Sequence, residues 1–174
     1  MEYLMFTLSL KNLTKTMLLL FTCLALSLSF SAQADNEPTI PRIKDSMRYM
    51  KHWAKIMGQP RREGEELYFG KTHINIDFVI VDGLKSHFGG TATFFVKKGD
   101  GFMRISTNVM KDGKRAVGTY LDPAGPAIAA IKQGKPYYGV VDILGKKYDT
   151  GYEPIITTSD GEIVGIYYVG YLVE

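Results

Sequence analysis

The sequence predicts an α+β domain: one long N-terminal helix, a central antiparallel sheet of five to six strands, and short inserted helices. Three observations carry this. Apolar residues recur at three- and four-residue steps over one long amphipathic stretch, 43–57. From residue 91 onward, runs rich in Val, Ile, Thr, Tyr and Phe alternate with glycine-centred turns, the pattern of hairpins. The strands follow the helix in succession, without the strand-helix alternation of a parallel sheet, which puts helices on one face of an antiparallel one.

The segment ahead of that domain is different in kind. Lys11 and Lys15 precede an apolar block, MLLLFTCLALSLSF at 17–30, followed by the small residues Ser31, Ala32 and Ala34. This predicts a secretory signal peptide over 1–34, cleaved after Ala34, and a single periplasmic or secreted domain over 35–174. Retention as a signal anchor is the alternative. Cys23, the chain's one cysteine, lies inside the apolar block and lacks the small residue before it that lipoprotein processing needs. The remaining stretch of about 140 residues has no thiol, so its core rather than disulfides must stabilise it, which is feasible at this size. A formal net charge of +3, dispersed along the chain, does not announce a nucleic-acid partner.

Taken in order, 35–41 is a polar lead-in with two prolines. In the helix over 43–57, Ile43, Met47, Met50, Trp53, Ala54 and Met57 form one stripe, with Arg48, Lys51 and Lys55 between, and Gly58 with Pro60 ends it. The stripe is either a face packed on the sheet or a docking face for a partner. Residues 67–70 form a first short strand. The stretch 75–88 fits a strand running into a turn or a helix; the spacing of Val81, Leu84 and Phe88 favours a helix toward its end, closed by Gly89 and Gly90. Strands over 91–96 and 102–109 make a hairpin. Asp122 and Pro123 predict the start of a short helix over 124–133, closed by Gly134. Strands over 136–144, 147–157 and 162–173 complete the sheet, separated by turns at Gly145 and Gly161.

The chemistry centres on 101–122, GFMRISTNVMKDGKRAVGTYLD, which carries Arg104 in a strand and Arg115 just after a turn. A guanidinium is a poor guest in a core unless an anion meets its fork, and a small carboxylate is the anion expected here. By period two, Arg104 shares a face with Phe102, Ser106 and Asn108, while Thr107 lies with Met103 and Ile105 on the other. Ser106 and Thr107 are both candidate ligand hydroxyls. Thr119 offers a hydroxyl and an amide just ahead of the predicted helix, where an anion meets backbone donors. Tyr137, Tyr148 and Tyr152 would supply apolar walls with polar tips; Tyr167, Tyr168 and Tyr171 read as strand fillers. An amino-acid ligand would want Asp142 or Asp149 for its ammonium. His52, His73 and His87 lie in separate elements, and no serine sits in a nucleophile elbow, so no enzyme, metal site or cofactor is expected.

With these stretches in place, the sequence resembles the Cache domains of bacterial extracytoplasmic sensors, specifically the Cache 3/Cache 2 fusion type of chemoreceptors and sensor kinases. The resemblance rests on GFMRISTNV (101–109), DGKRAVGTYLDP (112–123), GKPYYG (134–139), GKKYDTGYEPI (145–155) and DGEIVGIYYVGY (160–171), with a weaker VDGLKSHFGGTATFF (81–95). It implies a PAS-like sheet that binds a small organic acid or amino acid on one face, in service of signal transduction or chemotaxis. Family members in receptors sit between two membrane spans. Here the sequence ends at Glu174, directly after the last predicted strand, so a free-standing secreted module is expected. The competing expectation is a protein-interaction module without a small ligand, forming a homodimer through the 43–57 helix or docking on a membrane sensor or chemoreceptor.

Overall fold

The computed structural model describes residues 40–173; the predicted signal-peptide segment and the start of the lead-in lie outside these described residues. Helix α1 (Ile40–Met57) is followed by three short strands, β1 (Pro60–Glu63), β2 (Glu66–Phe69) and β3 (Thr72–His73), and by helix α2 (Val79–Phe88). Strands β4 (Thr91–Lys98) and β5 (Gly101–Thr107), the ribbon β6 (Met110–Lys111) and β7 (Lys114–Arg115), and helix α3 (Pro126–Ile131) come next. Strands β8 (Tyr137–Ile143), β9 (Lys146–Ile156) and β10 (Ile163–Leu172) end the described chain.

The central sheet has the order β5-β4-β10-β9-β8, antiparallel throughout. The last strand in sequence thus lies in the middle, and β10 is correspondingly almost wholly buried. The predicted strand at 67–70 belongs instead to a separate sheet, β1-β2-β3. Among the described residues no helix is long and apolar enough to cross a membrane.

Each face of the central sheet has its own apolar core. On one face α1 and α2 pack Ile43, Met47, Met50, Ala54, Val81 and Leu84 against Phe94, Val96, Tyr167 and Val169. Burying side chains of this size is worth roughly 1.5–3 kcal/mol each. The α1 stripe is therefore a sheet-packing face: Met47 and Met50 are at most 1% exposed and cannot present themselves to a partner. Trp53, placed in the same stripe by spacing, is 42% exposed, because α1 meets the sheet along the narrower line of Ile43, Met47, Met50 and Ala54. Ser46 and Tyr171 share a buried hydrogen bond of 2.6 Å that fixes α1 on β10.

The other face carries a second core, where Ala127, Ile128 and Ile131 of α3, with Ala116 and Leu121, cover Phe95, Phe102, Tyr152, Ile166 and Tyr168. The ambiguous stretch resolves as α2, ended by Gly89 at φ 74°, where the left-handed backbone favours glycine. Helix α3 starts later than expected. Asp122 accepts from the Ala124 N–H at 3.0 Å and closes a turn, and Gly125, held extended ahead of Pro126, defers the first helical turn to that proline.

Candidate functional site

The site is built around an irregularity in β5. Phe95 stands opposite Arg104, but Phe94 stands opposite Ser106, so Ile105 is an extra residue, a β-bulge. The carbonyl of Ile105 accepts from Ile76 N–H at 2.9 Å, so the bulge strands no buried carbonyl. Its consequence is a change of face along the strand. Phe102 and Arg104 point to the α3 side with Thr107, while Met103, Ile105, Ser106 and Asn108 serve the α1-α2 side.

Beyond β5, residues 118–121 pair with it as a short extra edge. Arg104 N–H donates to Thr119 O at 2.8 Å, Gly118 N–H to Arg104 O at 2.8 Å, and Leu121 N–H to Phe102 O at 2.9 Å. Gly118 enters this edge at φ 81°, a conformation a side chain would strain. The pairing sets Thr119 beside the Arg104 side chain, whose Nη1 donates to Thr119 Oγ1 at 2.7 Å. That hydroxyl spends its own proton on Ala116 O at 2.8 Å, which turns its lone pairs toward the arginine.

Arg104 is otherwise poorly provided for. It is 4% exposed, and its guanidinium carbon lies 5.0 Å from the centroid of the Phe95 ring. Its Nε is buried with no hydrogen-bond partner among the described residues, and no carboxylate there forms an ion pair with it. Burial pushes its pKa down, opposed by the phenols of Tyr152 and Tyr168. A buried cation without a counter-ion costs several kcal/mol, a cost that an arriving anion offsets.

Beside Arg104 opens a cleft of about 500 Å³. Arg104 and Tyr152 line it together with Leu121, Ala127, Val141 and Ile143, and Asp122 and Asp142 also border it. Its apolar walls and single buried cation suit a small acid. Tyr152 belongs to a row running straight across the sheet. Tyr137 pairs with Tyr152, Tyr152 with Tyr168, Tyr168 with Thr93, and Thr93 with Thr107. The rings of Tyr152 and Tyr168 lie 4.9 Å apart, those of Tyr137 and Tyr152 6.3 Å apart. Burial raises the pKa of both Tyr152 and Tyr168, so both are neutral donors at any physiological pH.

The candidate residues thus divide. Arg104, Thr107, Thr119, Tyr137, Tyr148 and Tyr152 lie on or over the α3 face, with Arg104 and Tyr152 lining the cleft itself. Thr107 is tied up in the sheet: it donates to Ala92 O at 3.1 Å and shares a 2.6 Å hydrogen bond with Thr93. Ser106, expected beside Arg104, is turned by the bulge to the helix side, where its hydroxyl donates to Asp77 O. Thr119 supports the arginine and offers no free donor, since its amide also goes to Ala116 O, at 3.3 Å. Arg115 is not brought to the cleft. Its two Nη atoms each meet one oxygen of Asp82 at 2.8 Å, its Nη1 also donates to Thr107 O at 2.9 Å, and it stacks over Phe78 at 4.2 Å. The expected pair of guanidinium forks facing one hollow is therefore a single fork.

Two contributors were missed from the sequence. Tyr168, read as a filler, is fully buried in the cross-sheet row, and its hydroxyl meets Thr91 Oγ1 at 3.0 Å. Its parity with Ile166 along the strand was the available signal. Asp122, read as a helix cap, borders the cleft.

A family model, the Cache 3/Cache 2 fusion domain, matches residues 55–174, about two-thirds of the chain. The chain belongs to the Cache 3/Cache 2 fusion family. Cache domains are extracytoplasmic sensory modules, and the two-cored antiparallel sheet described above agrees with that family's α+β, PAS-like architecture. Comparison with curated proteins and with solved structures gave no significant match.

Proposed function

We propose that this Cache domain is an extracytoplasmic ligand-binding module for a small organic acid, whose carboxylate would sit on Arg104 in the cleft beside Tyr152. The single observation behind this reading is the buried Arg104 guanidinium with an unpartnered Nε at the edge of an otherwise apolar hollow. A carboxylate arriving there supplies the missing acceptor and the missing charge together, in a low-dielectric setting where both count most. Tyr152, Leu121, Val141 and Ile143 act as walls, and Thr119 holds the guanidinium in place. The 1–34 segment would deliver the domain across the membrane. The basic, signal-like character of that segment supports this, and N-terminal sequencing of exported protein that begins at Asp35 would fit it.

The test is a thermal-shift screen against short mono- and dicarboxylates and amino acids, with hits confirmed by calorimetry. Wild-type protein should melt higher with at least one acid, and Arg104→Met, similar in reach but uncharged, should bind it at least ~30-fold more weakly, the loss expected when one partner of a buried charge pair is removed. A wild type that responds to no acid, or a variant that responds equally, sinks the proposal.

A further inference from the structure

The cleft carries a second charge that the carboxylate reading does not use. Asp122 borders it on the side of the 118–121 edge and is exposed, whereas Arg104 is enclosed. Its Oδ1 accepts from the Ala124 N–H at 3.0 Å, and its Oδ2 has no hydrogen-bond partner among the described residues. No described cation forms an ion pair with it, Arg104 included. Asp142, the other acid bordering the cleft, accepts from the Gly145 N–H at 2.8 Å and likewise forms no ion pair among the described residues, but it stands opposite Lys147 in the β8-β9 register, whereas Asp122 lies outside any strand.

We infer that Asp122 is a second subsite of the cleft, one that takes a positively charged group, so that the ligand is an acid carrying a cation at the end remote from its carboxylate. An ω-amino acid or a betaine with a spacer has this chemistry. The inference rests on the carboxylate reading of Arg104 and adds to it. A ligand lying with its carboxylate on the enclosed arginine and its far end at the exposed aspartate meets an opposite charge at each end and apolar wall between. A dicarboxylate in the same pose would set its second carboxylate against Asp122, and a plain fatty acid would leave that charge unanswered. Separation matters as well. Arg104 and Asp122 form no ion pair with each other, yet the Tyr152 hydroxyl feels both, the arginine lowering and the aspartate raising its pKa. Arg104, Tyr152 and Asp122 all line the cleft, with no ion pair between the two charges, so an α-amino acid, whose ammonium adjoins its carboxylate, is expected to gain less from Asp122.

The experiment is isothermal titration with four probes of similar length: hexanoate, 5-aminovalerate, glutarate and norleucine, against wild type and Asp122→Asn. Asparagine keeps an Oδ1 for the Ala124 N–H, so the loop retains its turn, and the variant's melting temperature without ligand checks this directly. In wild type, 5-aminovalerate should bind about tenfold tighter than hexanoate and norleucine, with glutarate weakest. In Asp122→Asn that tenfold advantage should vanish, hexanoate should be unchanged and glutarate should improve. Hexanoate or glutarate equalling 5-aminovalerate in wild type overturns the inference while leaving the carboxylate site intact. A 5-aminovalerate advantage that survives Asp122→Asn overturns the assignment to this residue. Failure of all four probes to bind would remove the carboxylate reading, and this inference with it.

Discussion

Arg104 and Arg115 leave the same short stretch of chain and meet opposite fates on the two sides of the sheet. Arg115 finds the Asp82 carboxylate on α2, a backbone carbonyl and an aromatic face. Arg104 finds one threonine hydroxyl and a phenyl ring. The contrast extends to their surroundings. On the helix side, buried Asn108 accepts from Ala92 N–H at 2.7 Å and donates to Val81 O at 2.6 Å, and Ser106 is likewise bonded. On the α3 side a permanent cation is enclosed with donors to spare. A fold that bonds Asn108 and Ser106 on one face and leaves Arg104 short of acceptors on the other distinguishes residues that hold the scaffold from one that the proposed ligand would complete.

The largest test of that separation compares one polar residue from each side. Asn108→Leu should destabilise by about 2 kcal/mol, because it leaves the buried Ala92 N–H on β4 without an acceptor. Arg104→Met should leave stability within about 1 kcal/mol of wild type, or raise it, since it removes a buried charge whose bonding is incomplete. Urea denaturation of both variants, without ligand, reads this out. Were Arg104→Met to cost as much as Asn108→Leu, Arg104 would belong to the scaffold and the two sides would not differ in kind.

A smaller effect is expected at Arg115. Its side chain and that of Asp82 are 32% and 47% exposed, so solvent screens the pair. A double-mutant cycle of Arg115→Ala and Asp82→Ala should give a coupling of about 0.5–1 kcal/mol. Neither substitution should alter the melting-temperature rise produced by an acid. If Arg115→Ala abolished that rise, the site would need both forks after all, and the division between the faces would fail.

These contrasts show what the sequence could and could not disclose. The strands were legible because each is a local alternation bounded by glycine, and α1 because its stripe has one period. The chemistry of Arg104 was legible too, as a permanent charge inside an apolar run. What escaped depends on partners far along the chain. Asp82 precedes Arg115 by 33 positions, and no local pattern announces their pairing. The bulge at Ile105 reversed the faces assigned to Ser106 and Thr107, and a single inserted residue leaves no periodic trace. Tyr168 was passed over because aromatic residues are common in any strand; only the registers Tyr152-Tyr168 and Tyr168-Thr93 bring it into the row.

The smallest expected effect concerns two turns of the same kind. In the β6-β7 ribbon, Lys111 pairs with Lys114 around Asp112 and Gly113, at φ 49° and 76°. In the β8-β9 hairpin, Ile143 pairs with Lys146 around Leu144 and Gly145, at φ 55° and 84°. Such two-residue turns favour Asn or Asp in the first position, and a larger L-residue there costs about 1 kcal/mol. The ribbon follows that preference; the hairpin beside the cleft does not. Leu144 lines the cleft, so under the proposed function its side chain would form an apolar cap over the ligand, and its backbone strain would then serve binding. Leu144→Asn should therefore raise stability by about 0.5–1 kcal/mol in the absence of ligand while weakening the acid-induced melting-temperature rise. A variant that gained stability and bound just as well would keep the turn argument and remove the cap. One that lost stability would show that packing of Leu144, rather than its φ, decides what this hairpin tolerates.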